Sequence, residues 1–153
     1  MATFLAKTEP SEYSFSQLVR DKKGIWDGVR NHEAKRNLGL MSAGDRVLIQ
    51  HTGNKPAVVG VAVVSRAAFA DPKDAAWLAV ELTPEFELDQ AVPLAALRSD
   101  PLLSAGLYLK RSRLSVVPVT SEQFRKIIKL GGRKKPNGPP LKAPARSATR
   151  QSR

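Results

Sequence analysis

The run Trp26-Asp27-Gly28-Val29-Arg30-Asn31 gathers a broad π face, a carboxylate, a guanidinium and an amide within six residues. Such groups together can stack on a flat ligand and hydrogen-bond its edge. Trp26 is the best stacking face in the chain, although periodicity alone favours a core tryptophan. Asn31 carries both a donor and an acceptor; it either addresses a ligand or caps the helix that follows, and different atoms can serve both. Asp27 and Arg30 stand at turn spacing, where an ion pair between them is the expected arrangement. His51 ends an apolar strand, a position that more often holds a satisfied core histidine than a ligand contact. Leu114, Val116 and Pro118 alternate as core residues do. Trp77 and Tyr108 are further aromatics that no motif assigns to a site.

Catalytic constellations are missing from the rest of the chain. It has two histidines, His32 and His51, and neither an H-E-x-x-H nor a G-x-S-x-G motif. With no cysteine, it has no disulfide framework, thiolate nucleophile, cysteine-ligated zinc or iron–sulfur cluster. A zinc deaminase, whose ligands require P-C-x-x-C, is excluded on the same ground. Gly24, Gly28 and Gly39 fit neither a phosphate-binding loop nor a dinucleotide fingerprint. Glu85 and Glu87 sit two apart, as on one solvated strand face, with no motif pointing to acid–base chemistry. No catalytic residue, metal ligand or cofactor is expected, and the chain reads as a non-enzyme.

The strands and helices that carry these residues are legible in outline. Phe4 and Leu5 open a short strand that ends at Glu9-Pro10, because the residue before proline leaves the helical region. A helix over Phe15 to Asp21 follows, with Ser14 as N-cap. A second spans Asn31 to Met41 with Asn31 as its cap, and Ser42 to Asp45 make a turn. Arg46 to His51, Val58 to Ser65 and Trp77 to Leu82 are rich in Val, Leu and Ile and read as strands. A short helix runs from Val92-Pro93 to Leu97, and Asp100-Pro101 starts a turn. Leu114 to Val119 forms another strand. The last helix, Ser121 to Leu130, is capped by Thr120 with Gln123 three residues on. Strands with dispersed short helices predict an α+β fold, a small mixed or antiparallel β-barrel flanked by short helices.

Charge divides the 153 residues unevenly. The net charge is +11, of which residues 133–153 supply seven Lys or Arg and no acid; residues 1–132 carry 18 − 14 = +4. The domain is therefore expected to end at Gly131-Gly132, followed by a basic, Pro-rich tail that cannot bury enough to order itself. Such a tail either binds a polyanion through phosphate contacts or merely solvates the protein. The longest apolar run, Ala57 to Val64, contains Gly60 and falls far short of the roughly 20 residues a membrane helix needs. Together with the lack of cysteine, this predicts a soluble, cytoplasmic protein without a membrane partner.

Lys7-Thr8-Glu9-Pro10, the hexapeptide at Trp26, His51-Thr52 and Arg113-Leu114-Ser115-Val116 occur in the order and approximate spacing of an EVE domain, which the chain resembles over roughly residues 3–130. That family typically shows K-S-E-P, W-D-G-V-R-N, H-S and S-R-L-S-V. The resemblance implies a PUA-like fold close to the YTH readers of methylated adenine, and a pocket for a modified cytosine or related base in DNA or RNA. It implies Lys7, Thr8, Trp26, Asn31, His51, Leu114 and Ser115 as ligand-binding residues and Arg30, Arg111 and Arg113 as phosphate contacts. Thr8 replaces the family's usual serine. Phe4 stands where Trp is common, and Gln50 where an aromatic often precedes the histidine, so a pocket wall is less aromatic than usual. The expected partner is nucleic acid carrying a modified base. The alternatives are a general RNA- or tRNA-binding module without modification specificity, and an undetected small-ligand hydrolase.

Overall fold

The computed structural model describes residues 1–134. Six strands form one mixed sheet in the order β2-β5-β4-β3-β1-β6. In chain order these are β1 (Thr3–Thr8), β2 (Gly24–Trp26), β3 (Arg46–His51), β4 (Ala57–Asp71), β5 (Asp74–Pro93) and β6 (Val116–Val119). The helices are α1 (Phe15–Asp21), α2 (His32–Gly39), α3 (Leu94–Arg98), α4 (Leu107–Lys110) and α5 (Ser121–Gly131). A 3-10 turn covers Leu103–Ala105. The α+β class is as expected, but the described sheet is open: β2 and β6 are its edges and do not pair with each other. Helix α2 packs against both β5 and β6, and the Asn37 amide donates to the Val116 carbonyl at 2.8 Å.

Local chemistry explains most helix boundaries. Ser14 accepts from the Gln17 N–H while the Gln17 side chain returns to the Ser14 N–H, and Thr120 with Gln123 repeats this reciprocal cap at α5. Asn31 Oδ1 accepts from the Ala34 N–H at 3.0 Å, so the second helix begins one residue later than the cap and ends at Gly39 rather than Met41. Strand β3 matches its expected span. Strands β4 and β5 are far longer than Val58 to Ser65 and Trp77 to Leu82, because each edge is extended by hydrogen bonding to the other across an Asp71–Asp74 turn. Shifts of register along this hairpin break the apolar alternation that would have revealed it. The expected strand from Leu114 begins only at Val116, and Pro118 within it is tolerated because β6 is an edge.

Strand alternation divides the apolar residues into two layers. On one face Phe4, Ala6, Val47, Ile49 and Val80 pack against Phe15 and Leu18 of α1 and Ala34 and Leu38 of α2. On the other, Leu5, Leu48, Val58 and Val117 meet Leu97, Tyr108, Phe124 and Ile127. Strands β1 and β3 run parallel in register from Thr3–Arg46 to Thr8–His51. Their C-terminal ends therefore finish side by side. The chain continues past α5, where the Asp89 N–H donates to the Gly132 carbonyl and the Lys134 N–H to Glu87. The remainder of the basic tail, residues 135–153, lies outside the described residues.

Candidate nucleic-acid interface

The loop after β2 is built around one buried carboxylate that the sequence reading did not single out. Asp71, with its side chain fully shielded, accepts from the Gly28 N–H at 2.9 Å, Arg30 Nη1 at 2.9 Å and the Lys73 N–H at 2.7 Å. Burial pushes this carboxyl upward, but the hydrogen bonds from Gly28, Arg30 and Lys73 outweigh it and hold the pKa at about 2. Gly28 sits at φ 81°, a left-handed conformation that glycine adopts without Cβ strain. The expected Asp27–Arg30 pair is not formed. Arg30 turns to Asp71, and Asp27 lies 3.7 Å from Lys73 Nζ. The physical reason is that the β4–β5 turn delivers a fully desolvated acceptor, a stronger partner than the half-buried Asp27 in the loop.

Trp26 follows directly from this frame. It is the last residue of β2, opposite Val80, and only 8% exposed, packed in the first core layer. Tyr13 meets it edge-on, with ring centroids 6.2 Å apart. Thr8 and His51 share this side. Thr8 Oγ1 donates to the Tyr13 carbonyl at 2.7 Å, and His51 Nε2 accepts from the Phe15 N–H at 3.1 Å. Because Nε2 accepts, the neutral ring carries its proton on Nδ1. Burial lowers the His51 pKa, opposed in part by the Glu9 carboxylate. The imidazole thus satisfies an otherwise orphaned helix N-terminal donor, leaving Nδ1 for another partner.

Lys7 and Leu114 fall on the opposite face. Lys7 Nζ donates to the carbonyls of Ser112 at 2.9 Å and Tyr108 at 3.3 Å, and burial lowers its pKa. Its backbone N–H donates to Ser115 O at 2.8 Å. Leu114 is 4% exposed in the second core layer. It is a packing residue, as its alternation predicts. Gln50, beside Lys7 in register, is 2% exposed, and its Oε1 has no hydrogen-bond partner. The half-buried Ser115 stands next to Leu114, immediately before β6. Arg111 makes a two-pronged pair with Glu33 of α2, so of the three expected phosphate contacts only the exposed Arg113 has no acidic partner among the described residues.

Tyr13 therefore links Trp26 to Thr8, which stands in register with His51, while Asn31 caps α2 and Lys7 and Leu114 lie behind the sheet. The structure adds residues that spacing left unassigned. Trp77 of β5 stands by the same loop: the Arg30 guanidinium lies 5.6 Å and Lys35 Nζ 5.7 Å from its ring centroid, and His32 stacks on it. The only signal in the sequence is an aromatic in a strand, which equally describes core. Among the described residues no group of acids and histidines is arranged to hold a metal ion, and no helix is long and apolar enough to cross a membrane.

An open mixed sheet carrying helices on both faces, with a short strand ending in tryptophan at one edge, is an α+β architecture. The EVE domain model matches residues 2–130, and the chain belongs to that family. A Rhodopseudomonas palustris protein solved by NMR is 38% identical, with a TM-score of 0.81 over 86% of this chain and 93% of that one. The human THYN1 protein, solved in complex with 5-methylcytosine containing DNA, shares the fold at a TM-score of 0.80 and 23% identity, over 89% of this chain and all of that one. Thymocyte nuclear protein 1 of Danio rerio is 28% identical over 72% of this chain, a match spanning 58% of that relative's length.

Proposed function

We propose that this EVE domain is a non-enzymatic reader that binds a modified nucleobase, a modified cytosine or a close relative, in DNA or RNA. The observation that carries this reading is the frame around Trp26: an indole at the rim of the sheet, beside a loop locked by Asp71 and a helix start capped by Asn31. The complex of the human family member with 5-methylcytosine DNA supports the ligand class.

Trp26 is nearly covered, so a base must displace its neighbour. The edge-on contact with Tyr13 contributes about 0.5–1.5 kcal/mol beyond burial. Stacking of one base on an aromatic contributes about 1–3 kcal/mol. Exchange of Tyr13 for a base is thus close to balanced. Edge hydrogen bonds from the free Asn31 amide donors and His51 Nδ1–H, and to Thr8 Oγ1 as an acceptor, tip it toward one base over another. Phosphate attraction supplies the remaining affinity: Arg113, the rim cations and the basic tail neutralise backbone charge without reading sequence.

Titration of the full chain with matched oligomers carrying cytosine or 5-methylcytosine, as single-stranded DNA, duplex DNA and RNA, tests the reading. A preference of tenfold or more for a modified oligomer is expected, with no product formed. Equal affinity across a panel of modified and unmodified bases would replace it with a general RNA- or tRNA-binding module. Turnover of a small ligand by the purified chain would replace it with a hydrolase.

A further inference from the structure

His32 follows Asn31 as the first residue of α2 and is exposed. Its imidazole stacks on the half-buried Trp77 indole, with centroids 4.9 Å apart and planes 29° from parallel. The Arg30 guanidinium, itself fixed by Asp71, lies 5.6 Å from the Trp77 ring centroid and Lys35 Nζ 5.7 Å, and the Lys35 ammonium also donates to the Ala76 carbonyl at 2.8 Å. The acids nearby are occupied: Asp71 by Arg30, Asp27 by Lys73 and Glu33 by Arg111. Lys35 has no acidic partner among the described residues. The outcome is a solvent-facing ring backed by a second ring, with an unneutralised cation beside it. Burial does not call for this ring, because an exposed imidazole adds little to the core.

We propose that the His32–Trp77 stack is a second stacking platform, taking the base next to the one captured at Trp26 in an unpaired segment of nucleic acid, with Lys35 meeting its phosphate. The inference rests on the proposed function for the identity of the polymer. Every base has a π face, so a platform of this kind adds affinity without choosing sequence. It requires a single-stranded neighbour, since in a duplex the faces of that base are covered by its own stack.

The test uses the full chain and a single-stranded DNA oligomer with one 5-methylcytosine flanked by adenines. A second oligomer has abasic flanking positions, and a third has cytosine in place of 5-methylcytosine. His32→Ala should weaken binding to the adenine-flanked oligomers about tenfold, by the same factor with and without the methyl group, within the range for one stacked base. His32→Phe, which restores a flat ring but no charge or hydrogen bond, should recover it. On the abasic oligomer wild type and His32→Ala should bind alike, because the cycle removes the partner of the ring. An unchanged affinity in His32→Ala, a Phe variant that melts normally yet fails to rescue, or a loss that persists on the abasic oligomer would overturn the proposal. The two readings separate cleanly. A wild type that ignores the methyl group but shows the His32 pattern defeats only the modified-base reading. A wild type that prefers 5-methylcytosine but is indifferent to His32 defeats only the platform.

Discussion

Removing the Trp26 side chain perturbs packing and recognition together, and the two effects can be separated by magnitude. The indole is 8% exposed in the first core layer, so Trp26→Ala is a large-to-small core substitution, with an expected cost of about 3–5 kcal/mol in unfolding free energy. A stability of about 0.05–0.15 kcal/mol per residue gives the 134 described residues roughly 7–20 kcal/mol. Even the least favourable combination leaves about 2 kcal/mol, or roughly 97% folded molecules at 25 °C. Binding can therefore be measured on a folded variant. Loss of one stacked base should then lower affinity for the preferred modified oligomer by about 1–3 kcal/mol and bring the ratio of modified to unmodified affinity close to one. The dependence on salt should be unchanged, because no phosphate contact is removed. Urea unfolding of wild type and variant, with binding isotherms at four salt concentrations, reads both quantities. A variant that loses stability as stated but keeps its full preference would show that Trp26 is only a packing residue. A stability loss below about 1 kcal/mol would refute the core assignment instead.

The basic tail should act on salt dependence alone. Truncation after Lys134 spares the two residues that pair with β5 and removes 7 − 2 = 5 charges, so the single-strand slope should flatten by up to about 3.5 units, at about 0.7 per phosphate, with base preference intact. Loss of preference with the slope preserved would assign reading of the base to the tail. His51 has a folded pKa lowered below its unfolded value, so its contribution to stability is present above about pH 6.5 and is lost as pH falls through the folded pKa. His51→Gln, which can still accept from Phe15, should flatten the melting temperature against pH below that point; an unaltered profile would count against the assignment. Asp71 follows the same direction at lower pH, with stability lost as pH falls towards about 2, and Asp71→Asn should cost about 2 kcal/mol or more by weakening three hydrogen bonds to one carboxylate. A neutral effect in thermal melts would show that the loop does not depend on it. Gln50→Leu removes a buried acceptor that has no partner and should be neutral or stabilising, so a loss above about 1 kcal/mol would reveal an unseen partner for Oε1.

The features legible before folding are local or motif-borne. The caps at Ser14, Asn31 and Thr120 were legible because their partners lie three residues away, and β3 because both ends of an apolar run are marked by turns. The family was legible because a hexapeptide and three shorter motifs keep their order. Everything else depends on contacts between distant segments. The length of β4 and β5 comes from their pairing across register shifts, not from propensity. Short β2 has too few residues to show a period, and it exists because β5 offers it an edge. Arg30 chose Asp71 over Asp27, and Arg111 found Glu33 at a separation of 78 residues. The parity of β1 sent Lys7 and Thr8 to opposite faces, although they are adjacent in one motif. Neighbours in a motif share a sequence position but not a side of the sheet, because successive side chains on a strand point in opposite directions. The ring beneath His32 comes from a strand 45 positions further along the chain, a distance over which no spacing rule acts.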